Sequence, residues 1–207
     1  MILFSLYLHN CFLQYTRFHH SGILTGLPSL SAETPKENWH TGDPDVDPWC
    51  WKDRAAEEKR LAFGCILGGY KGFVSPRMYS FFYAALHPKE PMEVRRVSGH
   101  ISQTVWQLWQ LFEEKTMLNT SDIRKEMGVT LKRGDSKVDR AIQEMQQYYY
   151  ITVAGSRRKT DKYGKPYEWS ANVYDKVISY NFVHYNVLTD GRLMYMIKSR
   201  TGLRENG

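Results

Sequence analysis

The sequence contains little cysteine and no apolar segment long enough to cross a bilayer. Its 207 residues include three cysteines, Cys11, Cys50 and Cys65, without the short spacing of a disulfide framework or a zinc site. The longest apolar stretch, residues 1–8 followed by residues 11–13, is too short for a transmembrane helix. It also lacks the charged start and small-residue cleavage site of a signal peptide. We therefore expect a cytoplasmic protein without a membrane partner.

Common motifs of cofactor and metal chemistry are also missing. The glycine-rich residues 64–72 lack both the Gly-Lys-Ser/Thr signature and the preceding strand of a nucleotide-binding loop, and no Gly-x-Ser-x-Gly elbow is present. His9, His19 and His20 match no common spacing of metal ligands. These absences predict a protein without a metal or cofactor.

Three aspartates at alternate positions resemble the start of a calcium loop. They are Asp43, Asp45 and Asp47, but Pro48 and Arg54 stand where such a loop needs glycine and glutamate. Asp-Pro turns and a helix cap account for these aspartates more simply than a calcium site does. The alternative is that one of them serves as a catalytic carboxylate.

The composition favours a globular chain of one large or two small domains. Hydrophobic residues make up 42% and aromatic residues 14%, which excludes global disorder. Prolines and glycines indicate an irregular segment over residues 21–48. We predict a helix from near Asp53 to Gly64 or beyond, stopped by the glycines at 68–72. Ser75 then caps a second helix that ends at residues 87–88.

The second half of the chain shows three amphipathic helices. The first carries an apolar stripe at helical spacing, and a short second helix is capped by Asn119 with Asp122 at its third position and ends at Gly128. The third starts at Asp135. The stripe residues of the first and third helices are Ile101, Val105, Leu108, Phe112, Val138, Ala141, Ile142 and Met145. We expect the tryptophans Trp49, Trp51, Trp106 and Trp109 in the core, with base stacking as the alternative.

Two predicted strands complete the pattern. Residues 149–154 are aromatic and β-branched, residues 168–173 alternate between apolar and polar, and a polar, turn-rich loop joins them. Three helices followed by a hairpin are typical of a winged helix-turn-helix. We therefore predict a mainly α chain with a small β-hairpin, in which a winged-helix domain at residues 98–175 follows an irregular and helical part at residues 1–90. Residues 176–207 form a C-terminal tail.

The positive charge is concentrated on these elements. The formal net charge of +6 arises after residue 90, and residues 132–165 carry nine cations against four acidic residues. The nine are Lys132, Arg133, Lys137, Arg140, Arg157, Arg158, Lys159, Lys162 and Lys165. Because cations that neutralise phosphates dominate affinity for duplexes, this pattern predicts binding of double-stranded DNA, with Arg140 or Gln143 as candidates to read bases. The alternatives are a solvated basic surface and a winged-helix module that binds proteins.

Several segments resemble the uncharacterised bacterial AlkZ-related family. They are residues 39–44 (Trp-His-Thr-Gly-Asp-Pro), 47–53 (Asp-Pro-Trp-Cys-Trp-Lys-Asp), 61–64, 71–76, 137–146 and 167–170 (Tyr-Glu-Trp-Ser). The resemblance covers roughly residues 25–175. The family takes its name from winged-helix DNA glycosylases of the AlkZ type, which excise alkylated or crosslinked bases in DNA repair.

The resemblance implies DNA binding more firmly than it implies catalysis. Those glycosylases position the attacking water with a Gln-x-Gln or Gln-x-Asp tripeptide, which this sequence lacks. Its nearest glutamines, Gln103, Gln107 and Gln110, are spaced for one helical face. The resemblance therefore assigns no catalytic residue, and an active base-excision glycosylase is the alternative to a protein that only binds DNA. Neither the lesion nor the oligomeric state follows from the sequence.

Overall fold

The computed structural model describes residues 12–14, 34–67, 69–129, 135–160 and 163–179. Within these ranges helix predominates, as predicted, and two three-stranded antiparallel sheets accompany six α-helices. The helices are α1 (Pro48–Glu57), α2 (Pro76–Leu86), α3 (Met92–Val97), α4 (Gln103–Glu114), α5 (Thr120–Glu126) and α6 (Asp135–Gln147). The strands are β1 (Phe12–Gln14), β2 (Ala62–Leu67), β3 (Tyr70–Val74), β4 (Leu118–Asn119), β5 (Ile151–Thr160) and β6 (Pro166–Lys176). None of the six helices is long and apolar enough to cross a bilayer.

The prediction of a helix from Asp53 to Gly64 or beyond is wrong in its extent. The helix begins at Pro48, capped by Asp47, and ends at Glu57. Residues 62–67 and 70–74 pair instead as the antiparallel hairpin β2–β3, with β1 on the other side of β3. Ala62, Phe63 and Ile66 are buried, so long-range packing decides the conformation of this apolar segment.

Local capping rules correctly predicted the starts of α2 and α5. Ser75 accepts a hydrogen bond from the Met78 backbone N–H at the start of α2, and Pro76 occupies its first position. Asn119 and Asp122 form the predicted capping box of α5, since each side chain accepts a hydrogen bond from the other residue's backbone N–H. Each cap satisfies amide groups that a helix terminus leaves without a partner.

The hairpin predicted at residues 149–173 is present, but its strands are longer than expected. The polar residues 155–160 belong to β5 and pair with β6, where Arg157 faces Ala171 and Lys159 faces Tyr167 in the register. β5 ends at Thr160 and β6 begins at Pro166. Backbone pairing with β6 holds this polar segment extended, which its turn-rich composition did not indicate. β4 pairs with the other edge of β6 and gives the sheet order β4-β6-β5.

One buried cluster joins the two halves of the chain. It includes residues of α1, β2 and β3 together with the predicted stripe residues of α4 and α6. Tyr149, which follows α6 with a backbone φ of 60°, is fully buried and donates its hydroxyl hydrogen bond to the Ile66 carbonyl at 3.0 Å. Trp49, Trp51, Trp106 and Trp109 pack against this cluster, as predicted.

Candidate nucleic-acid interface and the adjoining cleft

The exposed cations of α6 lie in its N-terminal half. Lys137 and Arg140 are both exposed, whereas Lys132 and Arg133 lie outside the described residues. Arg124 on α5 donates two hydrogen bonds of 2.9 Å to the carboxylate of Asp139, which fixes α5 beside this part of α6. The start of α6 therefore presents two exposed cations beside the Arg124–Asp139 ion pair.

The C-terminal half of α6 is covered by other parts of the protein. Gln143, a candidate base reader, donates a hydrogen bond to the Gly69 carbonyl at 3.2 Å, and Gln146 accepts one from the Cys65 N–H at 3.1 Å. On another side, the buried Arg95 of α3 lies 5.1 Å from the centre of the Tyr148 ring. The Gln143 side chain therefore holds α6 against the β2–β3 turn.

Arg157 and Arg158 are adjacent in β5 but have different surroundings. Arg157 donates to Asp122 Oδ2 at 3.1 Å and to the Met117 carbonyl at 3.3 Å, next to the cap of α5. Arg158 instead lines a cleft formed with the residues that precede and begin α1. The wing cations are therefore divided between two environments. Lys159 lies in the same strand, Lys165 is exposed at the hairpin turn, and Lys162 lies outside the described residues.

Helix α1 is hydrogen-bonded to both strands of this hairpin. Glu57 Oε1 accepts hydrogen bonds from the Ser156 N–H at 3.3 Å and from the Ser156 hydroxyl at 3.0 Å. Ser170 Oγ donates to Asp53 Oδ2 at 2.6 Å, and Asp53 also forms an ion pair with the buried Lys52. Because both strands are bound, the hairpin is held firmly against α1.

The cleft between α1 and the hairpin has a volume of about 290 Å³. It is lined by His40, Thr41, Gly42, Asp47, Trp49, Cys50, Arg158 and Ser170. These residues come from segments 39–44, 47–53 and 167–170, which carry the family resemblance, and from the basic strand β5. Sequence segments separated by more than a hundred residues thus meet at one surface opening.

Asp47 organises the base of this cleft. Its side chain is fully buried and accepts hydrogen bonds from the backbone N–H groups of Gly42 at 3.0 Å and Trp49 at 2.9 Å. Burial acts to raise the pKa of Asp47, but hydrogen bonds from Gly42, Trp49 and His40 outweigh it and lower the pKa. The predicted role as a helix cap is confirmed, and the carboxylate stays ionised while it binds the preceding loop to α1.

One wall of the cleft is formed by the rings of His40 and Trp49. The His40 ring lies 5.2 Å from the Trp49 ring, and the His40 backbone adopts a φ of 62° that non-glycine residues rarely use. The pKa of the Cys50 thiol is raised, first by burial and then by the charges of Asp47 and Asp53. Among the described residues, no group of histidine, cysteine, aspartate or glutamate side chains is arranged to hold a metal ion.

The cleft could not be identified as a site from the sequence, because nothing in the spacing of its segments shows that they meet. The one indication was that segments resembling the same family lie in both halves of the chain. The alternative of a catalytic carboxylate among the three aspartates stays a prediction. Asp47 is buried, while Asp43 and Asp45 form an exposed turn in which Asp43 Oδ1 accepts from the Asp45 N–H.

Comparison with known proteins identifies the family. The model of the family described as "AlkZ related" matches residues 18–193, which extends beyond residues 25–175, where the resemblance was seen. No curated protein and no solved structure matches the chain. The match includes the cleft, α6 and the hairpin, and it covers most of the sequence. The chain therefore belongs to the AlkZ-related family.

Proposed function

We propose that this protein binds double-stranded DNA through a winged-helix domain at residues 98–175. The observation that carries the proposal is the position of the exposed cations, which lie at the start of α6 and along the β5–β6 hairpin. The element order α4, β4, α5, α6, β5, β6 and the sheet order β4-β6-β5 support a winged-helix arrangement. The family relationship to DNA-glycosylase-like proteins supports DNA as the partner.

The N-terminal half of α6 is the part that fits a major groove. Recognition helices contact base edges mainly through their N-terminal residues. Lys137 and Arg140 are exposed there, whereas Gln143 and Gln146 are hydrogen-bonded to the β2–β3 hairpin. Arg140 is the candidate for a base contact and Lys137 for a phosphate contact, with Lys132 and Arg133 adding charge just before the helix.

The hairpin supplies the contacts to the flanking backbone. Arg157, Arg158, Lys159, Lys162 and Lys165 are the cations proposed to contact phosphates. The ion pair between Arg157 and Asp122 is exposed on both sides, and such pairs contribute at most about 1 kcal/mol. Phosphate can therefore replace Asp122 at little cost, since a phosphate contact also releases condensed counterions.

Binding of a generic duplex at two salt concentrations tests the proposal. Lys137→Ala and Arg140→Ala should weaken binding, and Lys89→Ala is the matched control because Lys89 is an exposed cation outside the proposed interface. Equal effects of all three substitutions would contradict the proposed interface. A protein-interaction module would show no affinity for the duplex at either salt concentration.

Base excision is the second candidate function, and the family membership is what favours it. Incubation with an alkylated or crosslinked duplex, followed by detection of abasic sites, tests this activity separately from binding. Abasic product above the level of an uncatalysed control would establish excision. DNA binding without abasic product would leave a binding protein that lacks this activity.

A further inference from the structure

The cleft beside β5 is not used by the proposed duplex contacts, apart from Arg158 at its edge. We propose that this cleft accepts one nucleobase that has left the base stack of the bound DNA. The inference rests on the proposed DNA binding. It adds that the protein prefers a duplex with an unpaired, extrahelical base to a fully paired duplex. The juxtaposition that carries it is an aromatic wall, formed by His40 and Trp49, next to a cation of the hairpin that the DNA is proposed to contact.

The wall suits a flat aromatic ligand. Bases stack on aromatic side chains with little dependence on their sequence, because every base has a π-face. The centroids of the His40 and Trp49 rings are 5.2 Å apart, and the rings are tilted by 59°. The unusual backbone conformation at His40 is held in place by the buried Asp47, and strain of this kind is often found where ligands bind.

The charges differ between the base and the edge of the cleft. The ionised carboxylate of Asp47 lies at the base and disfavours a phosphate there, whereas Arg158 acts on Cys50 with the opposite sign. Arg158 is the one lysine or arginine among the described lining residues. An uncharged base can enter while its phosphates stay outside, near the cations of the hairpin. A guanidinium can also stack on a base or donate hydrogen bonds to its carbonyl groups.

The size of the cleft is sufficient for one base. Its volume of about 290 Å³ is close to the lower end of the range of about 300–1,000 Å³ that is usual for small-molecule sites. A paired base lies inside the stack of the duplex, so it must be unpaired or extruded before it can reach the cleft. The Ser170 hydroxyl donates to Asp53 and Thr41 Oγ1 accepts from the Asp43 N–H, so Ser170 can offer a base edge an acceptor and Thr41 a donor.

A pair of matched duplexes tests the inference. One carries a single extrahelical 2-aminopurine, and the other has the same sequence fully paired. We expect the protein to bind the bulged duplex roughly 5- to 150-fold more tightly, the range that corresponds to about 1–3 kcal/mol for stacking one base on an aromatic side chain. The fluorescence of the 2-aminopurine should fall on binding, because stacking quenches it.

Three variants separate the cleft from the rest of the hairpin. Arg158→Ala should lower the preference for the bulged duplex, whereas Arg157→Ala should weaken both duplexes and leave their ratio unchanged, since Arg157 lies beside Asp122. Trp49→Leu should abolish the quenching, and Trp49→Phe should retain part of it. Thermal unfolding of each variant shows whether it is folded before its binding is compared.

The outcomes distinguish this inference from the proposed function. Equal affinity for the two duplexes, with no quenching, would overturn the cleft as a base site and leave DNA binding intact. Absence of binding to both duplexes would overturn both proposals. A preference for the bulged duplex that survives Arg158→Ala and Trp49→Leu in folded protein would also overturn the assignment, because the base would then occupy another site.

Discussion

Ser170 Oγ lies 2.6 Å from Asp53 Oδ2, so the second strand of the basic hairpin is hydrogen-bonded directly to α1. The two residues are 117 positions apart and belong to two segments that carry the family resemblance. Glu57 forms a second link to the same hairpin through Ser156. The cleft lies where these links bring the loop before α1 against β5 and β6. Its shape therefore depends on the attachment of the hairpin to α1.

Removal of the Ser170 hydroxyl should destabilise the protein. Ser170→Ala deletes a half-buried hydrogen bond to an ionised carboxylate, and we expect a loss of about 1–2 kcal/mol in the free energy of unfolding. Urea denaturation measures this loss. Ser179→Ala, at an exposed serine, is the matched control and should change the free energy by less than about 0.5 kcal/mol. Similar values for both variants would contradict a structural role for the Ser170–Asp53 bond.

The contact between α6 and β2 should depend on Gln146. Its side chain is buried, accepts from the Cys65 N–H and donates to the Ile142 carbonyl. Gln146→Ala leaves a backbone N–H without its partner, and we expect a cost of about 1–3 kcal/mol. Hydrogen exchange at the Cys65 amide should accelerate in this variant. Lys137→Ala, on the exposed part of the same helix, should leave the exchange of the Cys65 amide unchanged. Faster exchange of this amide in Lys137→Ala would contradict its specific protection by Gln146.

The elements that local rules specify could be predicted from the sequence. The capping box of Asn119 and Asp122 places the start of α5, and the stripe from Val138 to Met145 places the buried face of α6. In both cases the signal lies within one or two helical turns. Local patterns were sufficient because the residues that determine the structure are close together in the chain.

The β2–β3 hairpin and the cleft could not be predicted in this way. Residues 61–67 form a short apolar run, which periodicity alone cannot assign to a helix or a strand. The strand is decided by its pairing with β3 and its packing on α6. The cleft requires Arg158 and Ser170 to meet His40 across most of the chain. Strand alternation, by contrast, could have indicated that Arg157 and Arg158 have different neighbours.

Acidification should destabilise the protein through His87. Burial lowers the pKa of His87, the nearby charge of Arg95 lowers it further, and the hydrogen bond from Nδ1 to the Tyr148 carbonyl at 2.9 Å only partly opposes this. Below about pH 6.5, His87 is protonated more readily in the unfolded chain than in the folded protein. The free energy of unfolding therefore falls as the pH decreases. Thermal unfolding between pH 7.5 and pH 5.5, values chosen to bracket the roughly 6.5 of unperturbed histidine, measures the loss.

His87→Asn is the control for this pH dependence. An asparagine amide can donate to the Tyr148 carbonyl but does not titrate in this range. The loss of stability on acidification should be smaller in the variant than in the wild type. Burial raises the pKa of Glu144, so its titration acts with the opposite sign in both proteins, and the difference between them reports on His87. Identical pH profiles would show that His87 does not cause the effect.

Substitution of the hairpin cations should weaken DNA binding without dependence on sequence. Replacement of Arg157, Arg158 and Lys159 by alanine should reduce the magnitude of the log–log salt slope by roughly 0.9 for each phosphate that the variant no longer neutralises. Phosphates carry no base identity, so unrelated duplexes should be affected equally. Salt titrations of two duplex sequences measure both effects. Unchanged affinity and slope would exclude the hairpin from the interface.

Arg140 should behave differently from the hairpin cations. If its guanidinium reads a base edge, Arg140→Ala should cost about 1–3 kcal/mol of binding free energy on a preferred sequence and less on others. Competition between a panel of duplexes measures this dependence. A uniform loss across the panel would assign Arg140 to a phosphate contact instead.

The salt dependence of duplex binding tests the central claim most directly. The described cations proposed to contact DNA are Lys137, Arg140, Arg157, Arg158, Lys159 and Lys165. If five or six of them neutralise phosphates, the logarithm of the association constant should fall with the logarithm of the salt concentration with a slope of about −4.5 to −5.4. Anisotropy of a labelled generic duplex across a salt series gives this slope. A slope near zero, or no binding at low salt, would contradict the proposal that this basic surface binds DNA.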